Sequence, residues 1–258
     1  MTVPDQFDGI ARYYDPIMEH VDYDRWFRIV SALGELLPKG FRHLDAACGT
    51  GTLLQMLRQA GWNSIGVDLS PAMLRAARKK DPALPVAVAD LRALPVHGSV
   101  DLVTCLFDSM NFLIEDDGPA RAVRECADAL RPDGILYFDI VTERMVTDHF
   151  EDQYWTEHNG TFKTTWTSAY DHATGVVDTG VRVNTGAEAV VRERIHPTAR
   201  FVDAIAAAGL RLVLMVDANT WHSPNDKTVR IDFYALKQPS RAMIKALEKA
   251  FHALRRNR

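Results

Sequence analysis

The stretch His43-Leu-Asp-Ala-Ala-Cys-Gly-Thr-Gly51 decides the fold. It reads as the end of a buried strand, a glycine turn and the opening of a helix. Leu44 lies on the strand side, and Thr52-Leu-Leu-Gln-Met-Leu-Arg58 begins a helical pattern. Gly49 and Gly51 let the backbone turn tightly and leave room for a ligand. A dinucleotide-binding G-x-G-x-x-G turn would carry a third small residue at position 54, where this chain has Leu54. Asp45 sits just before the turn. A carboxylate there is a poor neighbour for a pyrophosphate and a good one for a cation.

Working outward, strands and helices alternate. Strands are expected near 41–46, 63–68, 86–89, 100–106 and 134–140, and helices near 51–60, 71–80 and 117–130. This rhythm implies a parallel sheet covered on both faces. Ser70-Pro71 is a helix start, Gly61 a helix stop, and Arg131-Pro-Asp-Gly134 a turn into the fifth strand. Residues 7–37 have helical spacing, with Tyr13, Tyr14, Tyr23 and Trp26 forming an aromatic cluster. These aromatics are either packing of an N-terminal helical layer or a lid over a ligand. From 142 to about 196 the pattern becomes β-rich, with turns at Ala173-Thr-Gly and Asn184-Thr-Gly, and a small inserted antiparallel sheet is expected. A helix over 197–208, strands over 211–217 and 228–236, and a basic amphipathic helix from Ser240 to Leu254 complete the chain.

Composition narrows the class. The chain has 258 residues, is 47% hydrophobic and 25% charged, and carries a formal net charge of −4. That charge gives no global attraction to nucleic acid. Cys48, Cys105 and Cys126 lack metal-site spacing and suggest reduced thiols in a cytoplasm; no metal is expected. The N-terminus lacks the pattern of a signal peptide, and no apolar run approaches the ~20 residues that span a bilayer.

In an open α/β sheet, ligands bind beyond the C-terminal strand ends. Three acids lie there in succession: Asp45, Asp68 in Ser64-Ile-Gly-Val-Asp-Leu-Ser70, and Asp90 in Ala87-Val-Ala-Asp-Leu91. Asp68 follows Gly51 at close to the ~20-residue spacing of a ribose-binding acid. Each acid alone also suits a helix cap or a loop acceptor. The Asp45-x-x-Cys48-Gly49-x-Gly51 pattern resembles that of class I S-adenosylmethionine-dependent methyltransferases, over roughly residues 40–140. The cofactor carries an ammonium and a sulfonium and no phosphate, which suits Asp45. The resemblance implies a Rossmann-like, seven-stranded, mostly parallel, doubly wound sheet with an antiparallel terminal hairpin. It implies a core over 1–141 and 197–258, with 1–38 as a helical lid and 142–196 as a β-rich substrate cap. It assigns Asp45, Gly49 and Gly51 to the methionine part, Asp68 to the ribose, and Asp90 and Leu91 to the adenine, with Met73 flanking the ring and Ala46 and Leu69 also in the cofactor site. Tyr14, Trp26 and Phe107 would line the cofactor.

Residues after strand four should face the transferred methyl. Phe107, Asp108 and Asn111 are candidates, and Asp108-Ser-Met-Asn-Phe-Leu113 resembles a subgroup acting on small molecules, including sugar and amine N-methyltransferases. Asn111 is equally suited to capping the next helix. Asp108 is the expected group to orient or deprotonate the acceptor. Trp155, Tyr170, His196, Trp221 and His222, with His149, are expected in the substrate pocket, although each also suits a structural place. The implied activity is methyl transfer to nitrogen or oxygen of a small molecule, yielding S-adenosylhomocysteine, in a monomer or homodimer. Methylation of protein or RNA, and cofactor binding without catalysis, are the alternatives.

Overall fold

The structure, a computed structural model, describes residues 5–256. Residues 1–4 of the expected lid and 257–258 of the expected core lie outside the described residues. The chain opens with a 3-10 turn at Ala11–Tyr13, α1 (Tyr14–Ile17) and α2 (Tyr23–Gly34). Then follow β1 (Arg42–Ala46), α3 (Thr52–Gln59), β2 (Asn63–Asp68), α4 (Pro71–Lys80), β3 (Val86–Val88), β4 (Val100–Cys105), α5 (Gly118–Ala129) and β5 (Leu130–Val141). Next come α6 (Glu143–His149), β6 (Tyr154–Asn159), β7 (Phe162–Asp171), β8 (Val176–Val183) and β9 (Glu188–Arg194). The last elements are α7 (Thr198–Ala207), β10 (Leu210–Asp217), β11 (Arg230–Lys237) and α8 (Arg241–Arg256).

The main sheet has seven strands in the order β10-β11-β5-β4-β1-β2-β3. From β5 to β3 all pairs are parallel, and β11 pairs antiparallel with both β5 and β10. This is the expected doubly wound sheet with its terminal hairpin. The β5–β11 register is fixed by aromatic pairs on both faces. Phe138 lies opposite Phe233 and Tyr137 opposite Tyr234, with ring centroids 4.7 and 4.6 Å apart. Because side chains alternate along a strand, the two pairs enter opposite cores. Phe138 and Phe233 pack with Val123 of α5 and Phe201 of α7, and Tyr137 and Tyr234 pack with Trp26, Leu57 and Phe251 of α2, α3 and α8.

The chain winds outward in one direction from β1 through β2 to β3, and in the other from β4 to β5. The crevice between the C-terminal ends of β1 and β4 is therefore the point where a ligand site forms. Between β5 and α7 lies a separate four-stranded antiparallel sheet, β6-β7-β8-β9, preceded by α6. The sequence pattern predicts only strands here. Helix α6 is seven residues long, and Arg144 and Asp148 form an i,i+4 ion pair on it at 2.6 Å. The expected Arg131–Gly134 turn lies inside β5 as an irregularity: Val100 pairs with Leu130 and Leu102 with Ile135. Among the described residues, no helix is long and apolar enough to cross a membrane.

Candidate active site

A cavity of about 900 Å³ opens at the C-terminal ends of β1, β2, β3 and β4 and runs under the four-stranded sheet. The glycine turn forms one end. Gly49 has φ +55°, and a Cβ there would meet nothing within 4 Å; Gly51 has φ +73°, and a Cβ would strike Leu84 at 2.6 Å. The first glycine thus permits the turn, and the second also permits close packing against Leu84. Ala47, Phe107 and Asp108 share the left-handed region. These three non-glycine residues line the cavity just past β1 and β4, where such strain commonly marks a functional site.

Asp45 is 4% exposed and accepts a hydrogen bond from Thr104 Oγ1 at 2.9 Å. Burial pushes its carboxyl up to about 7, Thr104 opposes that rise, and the nearby Asp68 adds to it. Asp68 accepts from the backbone N–H of Gly49 and of Ser70, each at 2.8 Å, so it ties the turn to the start of α4. Asp90 is gripped by Arg92 through Nε at 2.9 Å and Nη2 at 2.6 Å, and Arg92 reaches Glu115 at 2.8 Å. This fork holds the Asp90 carboxyl below the usual range. Leu69, Met73 and Leu91 line the wall between the two acids.

The N-terminal segment is clipped over the turn. Asp5 accepts from Ser70 Oγ at 2.8 Å and from the Ala72 N–H at 3.2 Å. Asp15 accepts from Thr50 Oγ1 at 2.5 Å and pairs with Lys80 at 2.8 Å. Tyr14, Ile17, Met18, Tyr23 and Trp26 then line the cavity, and Trp26 meets Phe107 edge-on at 5.4 Å.

On the β4 side, Asp108 Oδ1 lies 2.7 Å from Arg230 Nη2, and Arg230 also pairs with the fully buried Asp139. Glu193 of β9 faces Asp108 in the cavity wall, and its Oε1 is buried with no hydrogen-bond partner. Burial and Asp108 hold the Glu193 carboxyl well above its ordinary range, while Arg230 pulls it down. The site thus sets a carboxyl of raised proton affinity beside Asp108 and Arg230. Opposite, Trp155 and Trp166 stack at 5.5 Å, and each indole N–H donates to Glu157 at 3.1 Å.

The cavity brings together Tyr14, Trp26, Asp45, Gly49, Asp68, Leu69, Met73, Asp90, Leu91, Phe107, Asp108 and Trp155. Six expected residues lie elsewhere, as does His149, and Gly51 acts as a spacer at the turn's base. Ala46 is buried in the sheet core. Asn111 accepts from the Val141 N–H at 3.1 Å and donates to the Arg194 carbonyl at 3.1 Å, stitching β5 to β9. Tyr170 is a surface partner of Glu143. His196 is buried and its Nε2 donates to the Leu113 carbonyl at 2.6 Å. Trp221 packs on Phe251 under α8, and His222 contacts Arg255 at the surface. His149 is exposed. The physical reasons differ: Asn111, Tyr170, His196 and His222 are engaged by partners elsewhere, Ala46 and Trp221 are packed in cores, and His149 points to solvent. Arg92, Glu157, Glu193 and Arg230 are site residues the sequence reading missed.

Asp45 meets what a cofactor with an ammonium group requires: a buried carboxylate beside a glycine turn whose ligand side is open. Among the described residues no cluster of metal-ligating side chains exists. A family model described as a methyltransferase domain matches residues 44–134. A protein of Geobacillus sp. (strain WCH70), whose name places it among the methyltransferases, is 30% identical over 166 residues, spanning 62% of this chain and 67% of that protein. An S-adenosylmethionine-dependent methyltransferase from Clostridium acetobutylicum ATCC 824 has the same fold, with a TM-score of 0.77 at 22% identity over 90% of this chain and 98% of that one. The sugar N-methyltransferase KedS8 from Streptoalloteichus sp. ATCC 53650 gives a TM-score of 0.67 at 25% identity, over 86% of this chain and 90% of that one. Strand order, glycine turn and these likenesses agree: the chain belongs to the class I S-adenosylmethionine-dependent methyltransferases.

Proposed function

We propose that the chain transfers the methyl group of S-adenosylmethionine to an amine nitrogen of a small-molecule acceptor, releasing S-adenosylhomocysteine. The observation that carries the choice of nitrogen is the cluster of Asp108, Glu193 and Asp139 around one guanidinium, Arg230. Three carboxyls against one cation attract an ammonium and can take its proton. An amine must lose that proton before its lone pair attacks. The Asp108–Glu193 pair is the group that holds it.

S-adenosylmethionine supplies a methyl on a sulfonium that is already a good leaving group. The protein's task is then alignment, desolvation and proton handling. Asp45 receives the cofactor's ammonium, Asp68 its ribose hydroxyls, and Asp90, fixed by Arg92, its adenine amino group. Leu91 and Met73 flank the adenine, and Tyr14, Trp26, Leu69 and Phe107 close the groove. Residues up to 38 serve as a lid, and 142–196 as a cap that carries Trp155, Trp166 and Glu193 to the acceptor. The likeness to a sugar N-methyltransferase supports nitrogen as the attacked atom.

The test is transfer of radiolabelled methyl to metabolite fractions sorted into amine-bearing and amine-free pools. Label in the amine pool, located on nitrogen by NMR of the product, is expected. A product methylated on oxygen would overturn the choice of nitrogen, and label only in protein or RNA would overturn the small-molecule acceptor.

A further inference from the structure

Behind the glycine turn, four buried side chains form a line that ends on Asp45. Ser64, His43, Thr104 and Asp45 are 1%, 1%, 0% and 4% exposed. The parallel register sets His43 beside Ser64 and Asp45 beside Thr104. The links are Ser64 Oγ to His43 Nδ1 at 3.0 Å, His43 Nε2 to Thr104 Oγ1 at 2.9 Å, and Thr104 Oγ1 to Asp45 Oδ1 at 2.9 Å. Trp62 packs edge-on against the imidazole.

Donor counting fixes the protons. A carboxylate only accepts, so the Thr104 hydroxyl proton points at Asp45. A hydroxyl has one proton, so His43 Nε2 must donate to Thr104. Burial holds the imidazole neutral, down to about 3, so Nδ1 is bare and accepts from Ser64. Every proton in the line then points toward Asp45.

We propose that His43 is a positioning residue for the cofactor: through Thr104 it holds Asp45 as a carboxylate directed at the cofactor's ammonium group. The line is reversible. When Asp45 is protonated it donates to Thr104, Thr104 donates to Nε2, and Nδ1–H donates to Ser64. Ammonium binding favours the carboxylate, so it selects the Nε2-protonated tautomer and releases a proton from Asp45. The other ionisable groups facing Asp45 are Asp68 of β2, Tyr23 of α2, Cys48 of the turn and Cys105 of β4. Burial pushes the tyrosine and both thiols upward, so they stay neutral near pH 7. Asp68 opposes Asp45 ionisation, but its own hydrogen bonds go to Gly49 and Ser70, away from His43. The inference rests on the cofactor reading of Asp45 and is independent of the acceptor.

Nitrogen NMR of histidine-labelled protein, saturated with S-adenosylhomocysteine, reads the tautomer directly. His43 protonated on Nε2 is expected; protonation on Nδ1 overturns the proposal. Calorimetric titration with S-adenosylhomocysteine at pH 6 and pH 7.5 tests the consequence. His43→Leu removes the donor to Thr104. It should weaken binding about tenfold at pH 7.5 and more at pH 6, the worth of one hydrogen bond to a charged group. Its affinity–pH curve should move up by about one unit. His43→Gln is neutral and keeps a donor near the Nε2 position, and should bind within about threefold of the native protein. Equal affinities for the native protein and His43→Leu, or equal losses in both variants, overturn it. Should His43→Leu fail to fold, the NMR of the native protein still decides. Native binding that does not weaken between pH 7.5 and 6 would instead count against the role of Asp45 itself.

Discussion

A single residue, Asp45, shows the conflict between fold and site. Its carboxyl rises to about 7 in the fold, against about 3.9 in an unfolded chain. Between those values the unfolded chain is ionised and the folded one is not. Stability contributed by Asp45 is therefore full below about pH 4 and is lost as pH rises to about 7. Asp45→Asn, still able to accept from Thr104, should stabilise the ligand-free protein at pH 7.5 by on the order of 1 kcal/mol or more, read as a raised Tm, and change it little at pH 4. The same variant should bind S-adenosylhomocysteine about 10- to 100-fold more weakly, the worth of a charge-assisted pair. Unchanged affinity in calorimetry would remove Asp45 from the site. Asp108→Asn tests the other end. Cofactor affinity should stay within about threefold, while turnover falls by about 10² or more for loss of proton transfer; if turnover also survives, the Asp108–Glu193 pair holds no proton of the reaction. Asp45, Asp68 and Asp90 were legible because each belongs to a local strand-to-turn unit. Glu193 and Arg230 were not, because their importance arises only where β9 and β11 arrive beside Asp108. Trp221 and His222 misled for the converse reason: residue type suggested a pocket, but a packed ring and a surface arginine already satisfy them.

At the scale of elements, the N-terminal segment joins the glycine turn to the four-stranded sheet. Asp5 and Asp15 hold it to α4 and to Thr50, while Ile17 and Tyr13 pack against Phe162 and Val183. The segment thus crosses the cavity as a strap fastened at both ends. Asp15→Ala removes the Thr50 and Lys80 contacts together. It should speed release of S-adenosylhomocysteine by about three- to tenfold in stopped flow, the effect of losing about 1 kcal/mol of half-exposed polar contacts, with little change in Tm. An unchanged release rate would mean that the strap does not close the cavity. The helical character of this segment was readable from spacing; its break between α1 and α2 was marked by Asp22, which caps α2 by accepting from the Arg25 N–H at 2.9 Å. Helix α6 was not readable, because a seven-residue helix gives too few turns for a period to emerge beside long strands. The parallel sheet was readable from the βα alternation, whereas the seven-stranded form with its terminal hairpin was implied by the family resemblance.

For the whole molecule, burial raises the carboxyls of Asp45, Asp68, Asp139, Glu193 and Asp232 together, and among the described residues Arg230 pairs with Asp139 and Arg25 with Asp232 as counter-charges. The cavity's lining arginines, Arg92 and Arg230, are already paired with Asp90, Glu115, Asp108 and Asp139, so a ligand that brings an ammonium supplies the counter-charge that Asp45 lacks. S-adenosylhomocysteine carries that ammonium without the reactive methyl, so it probes stability with no chemistry. At a concentration of about 100 times its Kd it should stabilise the fold by about 2.7 kcal/mol, or roughly 5–10 °C in Tm for a chain of this size. The sign with pH follows from Asp45. At pH 7.5 most of its carboxyl is ionised and pairs with the ammonium; at pH 6 most is protonated, and binding must expend free energy to remove that proton. At one fixed ligand concentration the Tm shift should thus be larger at pH 7.5 than at pH 6. The Asp45→Asn variant should show a small shift that is the same at both pH values. Equal shifts in the native protein, or a larger one at pH 6, would mean that the ammonium is held by a group other than Asp45. The glycine turn would then mark the cavity without choosing its ligand.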